Sequence, residues 1–89
     1  MDVASVKDML HAMRRNPKGV HYRDLCKVCD HYFGEARHIG GSHRIYKMPW
    51  AGDPRVNIQD DAGMAKAYQV RQVLKAIDRL EKEQDERDS

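Results

Sequence analysis

Apolar residues recur at helical spacing near the start of the chain, at Val6, Met9, Leu10 and Met13. That stripe predicts an amphipathic helix over about residues 5–15. Ser5-Val6-Lys7-Asp8 opens it as a capping box, with a hydroxyl at the cap and an acid three residues on. Asn16-Pro17-Lys18-Gly19 stops it, because Pro17 disfavours helical geometry at Asn16. A second stripe at Leu25, Val28, Cys29 and Tyr32 predicts a helix from Tyr22 to Phe33, closed by Gly34. The period then shortens. Glu35-Ala36-Arg37-His38-Ile39 alternates as a strand, Gly40-Gly41 reads as a turn, and Arg44 to Met48 reads as an antiparallel return strand. Pro49 to Pro54 is a loop, Arg55 to Gln59 a third strand, and Ala62-Gly63-Met64-Ala65 a connection. Val70, Val73, Leu74, Ile77 and Leu80 mark a last helix from Tyr68 to about Glu83, with Lys75, Asp78, Arg79 and Lys82 on its wet side.

The order is α-α-β-β-β-α, an α+β class. A small antiparallel sheet needs a cover on one face. The helices are therefore expected to pack on one face and leave the other open. The 89 residues fit a single domain over residues 1–84, with residues 85–89 a polar tail expected to fray. No apolar run approaches the roughly 20 residues of a membrane span. Met1-Asp2-Val3-Ala4-Ser5 lacks a leader pattern, and two cysteines do not make a disulfide scaffold. A cytoplasmic protein is expected.

Net charge is only +2, but it is unevenly spread. Between Arg14 and Arg55 nine Lys and Arg face four acids, whereas Glu81 to Ser89 carries five acids and two bases. A basic middle suits a polyanion such as nucleic acid, and equally suits an ordinary solvated surface. Arg37, Arg44, Lys47 and Arg55 lie on predicted strands and are candidate phosphate contacts. Lys66 and Arg71 flank the start of the last helix, where backbone N–H groups favour anions.

His43 is the candidate for chemistry. A neutral imidazole beside two glycines can approach a phosphodiester and take the proton of an RNA 2′-hydroxyl, although a surface histidine at a strand start has the same local sequence. His38, across the turn, is a candidate second acid or base, or a hydrogen-bonded sheet histidine. Cys26-Lys27-Val28-Cys29 with His31 has the spacing of half a zinc site. No second ligand pair accompanies it, and Cys29 falls on the apolar face, so core packing is the expected role and no metal or other cofactor is expected. Trp50 stacks on a base, contacts a partner protein or packs over the sheet edge.

Gly41-Ser42-His43-Arg44-Ile45-Tyr46 followed by Pro49, then Val56-Asn57-Ile58-Gln59 and Tyr68-Gln69-Val70-Arg71-Gln72-Val73-Leu74, resembles the HicA toxins of prokaryotic type II toxin–antitoxin systems. The resemblance runs from about Tyr22 to Leu80. It implies a fold similar to double-stranded RNA-binding domains and an mRNA interferase, an endoribonuclease with His43 catalytic. It also implies a HicB-like antitoxin as partner, mRNA as substrate, and RNA contacts from Gly41, Ser42, Arg44, Lys47 and Arg37. The free chain is expected to be a monomer. Many members of that family carry a basic residue where Gly40 stands and often a second histidine where Arg44 stands. The first helix lies outside the shortest members.

Overall fold

A computed structural model of the chain describes residues 5–38, 40–52 and 54–88, with the backbone alone at Arg87 and Asp88. Ile39 and Asp53, which the sequence reading put in a strand and a loop, lie outside the described residues, as do residues 1–4 and Ser89.

The first helix, α1 (Val6–Arg15), is capped as the sequence predicts: the Ser5 Oγ accepts from the Asp8 N–H at 3.1 Å. Such a cap contributes about 1 kcal/mol. Leu10 and Met13 enter the core, with Val6 and Met9 packed half-buried beside them. Pro17–Gly19 forms a single 3₁₀ turn, which redirects the chain into α2 (Tyr22–Phe33). The inward face of α2 buries Leu25, Cys26, Val28 and Cys29. Gly34 ends it, donating its N–H to the Asp30 carbonyl at 3.2 Å.

Three strands follow, β1 (Arg37–His38), β2 (Arg44–Lys47) and β3 (Arg55–Ile58), as an antiparallel sheet with β2 in the centre. The register pairs His38 with Arg44 and Arg44 with Ile58, and then Tyr46 with Val56. Paired residues share a face. One face therefore carries His38, Arg44, Tyr46, Val56 and Ile58, and the other Arg37, Ile45, Lys47, Arg55 and Asn57. The helices cover the first face, where Tyr46, Val56 and Ile58 are buried. Arg37, Lys47, Arg55 and Asn57 on the second are exposed.

The segment read as a plain connection is instead a second hairpin, β4 (Asp60–Asp61) and β5 (Met64–Ala65). Its turn holds Ala62 at φ 52° and Gly63 at φ 87°. Two left-handed residues in succession match the twist of a two-residue hairpin. The Asp60 Oδ1 accepts the Gly63 N–H at 2.7 Å and secures the turn. The hairpin also pairs with the chain before α2, since Ala65 donates to the Val20 carbonyl at 2.8 Å and Tyr22 to the Gly63 carbonyl at 3.0 Å. Two adjacent aspartates are poor strand formers. It is this pairing, distant in sequence, that makes the strands.

The last helix, α3 (Ala67–Asp88), begins one residue before Tyr68 and continues past Glu83, where the sequence reading ended it. Its later residues are strong helix formers, and Arg79 pairs with Glu83 one turn on at 3.0 Å. Val70, Val73, Ala76 and Ile77 close the core against the sheet. Gln69 is buried with them, and its Oε1 accepts the Gln59 N–H at 2.9 Å, so the amide is not left unsatisfied. Arg14 on α1 reaches Asp78 on α3 with a fork of 2.7 and 3.4 Å. Both side chains are largely exposed, so this pair contributes below about 1 kcal/mol. Among the described residues no helix is long and apolar enough to cross a membrane.

Candidate functional site

Gly40 and Gly41, in the loop between β1 and β2, bring no side chain that could hold it by packing. Gly40 and Gly41 have φ of 61° and 51°, in the left-handed region that glycine enters without cost. The His43 N–H donates to the Gly40 carbonyl at 3.2 Å and closes the turn. Ser42 is then held from two sides. Its carbonyl accepts the hydroxyl of Tyr22, the first residue of α2, and its Oγ accepts the Asp60 N–H of β4 at 3.1 Å. Burial, with Cys26 close by, pushes the Tyr22 phenol up to about 12, so it remains a donor across the neutral range.

His43 stands immediately before β2, on the alternation shared by Ile45 and Lys47. It is half-buried. Among the described residues nothing hydrogen-bonds to or pairs with its imidazole. Ahead of it lies the open face, where Lys47 and Arg55 are register partners and Arg37 pairs with Ile45. Arg37, Lys47, Arg55 and Ile45, rimmed by Phe33 and Glu35, line a shallow groove of about 270 Å³. Three of the four strand cations expected from the sequence thus converge on one surface.

Arg44 does not join them. The alternation of β2 turns it to the helix-covered face, where its Nη1 lies 3.6 Å from the Asp30 Oδ2. Asp30 also accepts the Tyr46 hydroxyl at 2.7 Å through its other oxygen. Burial, with Asp30 adding to it, pushes the Tyr46 phenol well up, so it stays a neutral donor inside the fold. Arg44 therefore does not share a face with Lys47 and Arg37, the residues grouped with it as RNA contacts: the ion pair with Asp30 and the strand's parity place it on the opposite side. His38 is exposed and paired in register with Arg44, so it too belongs to that side and lines a separate groove with Asp30 and Arg44. It is not brought to the face of His43.

Cys26 and Cys29 are both buried, and burial raises both thiols, Cys29 far more. Both pack as small hydrophobes in the core cluster. Trp50 packs half-buried against the core beside α3, with the Arg79 guanidinium 4.4 Å from its ring centroid. Lys66 sits just before α3 with its Nζ 3.5 Å from the Gln59 Oε1, while Arg71 is exposed on the helix. Neither joins the strand cations lining the groove on the open face.

The residues that sequence reasoning passed over are Tyr22, Asp30 and Asp60. Each acts across 16 to 20 residues of chain, on Ser42 or Tyr46. Their local sequence carries no sign of those partners. Comparison with known proteins found no match, whether a family model, a curated protein or a solved structure.

Proposed function

We propose that the chain is a ribonuclease toxin of the HicA type, an mRNA interferase of a type II toxin–antitoxin system, acting in the cytoplasm and silenced by a HicB-like antitoxin. The observation that carries this reading is His43: a half-buried imidazole without a partner among the described residues, heading the central strand of a face that carries Arg37, Lys47 and Arg55. Helices on one side of a three-stranded antiparallel sheet support a fold of the double-stranded RNA-binding-domain type. The Gly-Ser-His motif before the strand supports the family.

In this reading the neutral imidazole of His43 takes the proton of a ribose 2′-hydroxyl. The 2′-oxygen bonds to the adjacent phosphorus, and the bond from phosphorus to the 5′-oxygen breaks. The products are a 2′,3′-cyclic phosphate and a 5′-hydroxyl, whose proton comes from the imidazolium or from water. Arg37, Lys47 and Arg55 offset the charge of the backbone and hold the strand over the histidine.

The test is cleavage of single-stranded RNA by the purified chain in the presence of chelator. His43→Ala is expected to lower the rate by about 10²-fold or more while leaving the fold and antitoxin binding intact. An unchanged rate sinks the assignment. One observation favours a second reading, a non-catalytic RNA-binding module of the same fold: of His38, Arg44 and Lys47, the candidate chemical partners of His43, only Lys47 shares its face. That reading predicts binding that is steeply salt dependent, insensitive to His43→Ala, and without cleavage.

A further inference from the structure

A reacting imidazole needs a fixed origin, and the loop that carries His43 has little of its own to provide one. Gly40 and Gly41 offer no side chains, and a Cβ at either would meet nothing within 4 Å. Around these two glycines the loop is open. What fixes it is Ser42, and the group that reaches the Ser42 main chain is the Tyr22 phenol.

We propose that Tyr22 is a positioning residue for His43, its hydroxyl holding the Ser42 carbonyl and so the peptide plane from which His43 departs. This rests on the ribonuclease reading above. Tyr22 is suited to the task because it is itself anchored at both ends. Its backbone N–H donates to the Gly63 carbonyl at 3.0 Å, which ties it to the β4–β5 hairpin. Its ring packs half-buried against the core. The same hairpin contributes the Asp60 N–H to the Ser42 Oγ. One small unit, the start of α2 and the second hairpin, therefore grips Ser42 by both its main chain and its side chain. The groups beside the phenol are Cys26 and Arg44, which belong to the helix-covered side, so the phenol acts on orientation and not on RNA binding. Misplacing a reacting group by about 1 Å costs on the order of 10²-fold in rate.

Tyr22→Phe keeps the ring and deletes the donor. With the full chain and a single-stranded RNA, kcat is expected to fall by about tenfold or more, with KM within about twofold of the wild type because the phosphate contacts are untouched. Hydrogen exchange at the His43 amide, which closes the turn onto Gly40, is expected to quicken in the same variant. Unchanged kcat overturns the proposal, as does a rise in KM alone, which would make the phenol an RNA contact. Ser42→Ala gives a second handle that leaves the ring in place. It removes the acceptor of the Asp60 N–H and is expected to lower kcat by less than Tyr22→Phe. A change confined to KM in this variant also overturns the proposal. Wild-type cleavage abolished by His43→Ala but indifferent to Tyr22→Phe leaves the ribonuclease reading standing and removes only the positioning role. Absence of wild-type cleavage removes both.

Discussion

Along β2 the side chains of Arg44 and Tyr46 go to one face of the sheet and those of Ile45 and Lys47 to the other. The cations Arg44 and Lys47 are three residues apart and have different fates. Arg44 meets Asp30 on α2, beside a fully buried tyrosine whose hydroxyl uses the same carboxylate. Lys47 meets Arg55 across the strand and water in front of it. On the covered face charge is matched by charge, in a partly exposed pair at 3.6 Å that contributes about 1 kcal/mol or less. On the open face Lys47 and Arg55 are register neighbours, and cations grouped on one surface favour an arriving polyanion. A cation's face, set by strand parity and register, decides whether it meets the helices or the open side of the sheet.

The comparison can be broken from its covered side first. Ile58 is fully buried opposite Arg44, and Ile58→Ala is expected to cost about 3 kcal/mol in urea unfolding while leaving the RNA affinity of the folded fraction unchanged. On the open side, Lys47→Glu is expected to weaken RNA binding about tenfold at low salt and to flatten its salt dependence, with stability changed by less than about 0.5 kcal/mol. Arg44→Gln is the matched control. It leaves Asp30 without its cation, is expected to cost about 1 kcal/mol of stability, and should leave the salt slope of RNA binding as it was. If Arg44→Gln weakens RNA binding as much as Lys47→Glu, the division between the faces is lost.

Alkaline pH probes the covered side without mutation. Cys29 and Tyr46 have folded-state values raised above their ordinary 9.0 and 10.0, and Tyr22 is raised to about 12. Above pH 9 the unfolded chain gives up these protons before the folded chain does, so it binds fewer protons and stability falls as pH rises. The contribution is complete below pH 9. For Tyr22 it declines between pH 10 and about 12. Urea midpoints from pH 7 to 11 check the sign: a midpoint rising with pH contradicts it. The smallest effect is expected in the β4–β5 turn. Ala62 holds a left-handed φ of 52°, which glycine or asparagine adopts more easily. Ala62→Asn is expected to raise stability by about 0.5–1 kcal/mol, with RNA binding unaffected.

The helices were legible because their stripes are long: four apolar positions in α1 and five in α3 leave one phase open to the core. The Ser5 cap was legible because it is local. The three main strands could be read from alternation, and alternation also separates Arg37 from His38. The division of Arg44 from Lys47 was available from the same parity, but only the register and the Asp30 partner show which face is covered. The β4–β5 hairpin was not legible, since Asp60-Asp61 has little strand propensity and the bonds of Gly63 and Ala65 to Tyr22 and Val20 reach far back in the chain. For the site, His43 and its neighbouring glycines stood out by type and spacing. The grip of Tyr22 and Asp60 on Ser42 joins three separate segments and leaves no mark in any one of them.

The most direct measurement follows backbone amide NMR shifts of the His43→Ala chain as uncleaved single-stranded RNA is added. The account predicts perturbations centred on residues 37, 41–43, 45, 47, 55 and 57, fading as salt is raised. Perturbations centred instead on Asp30, His38 and Arg44, or no perturbation at all at low salt, would contradict it.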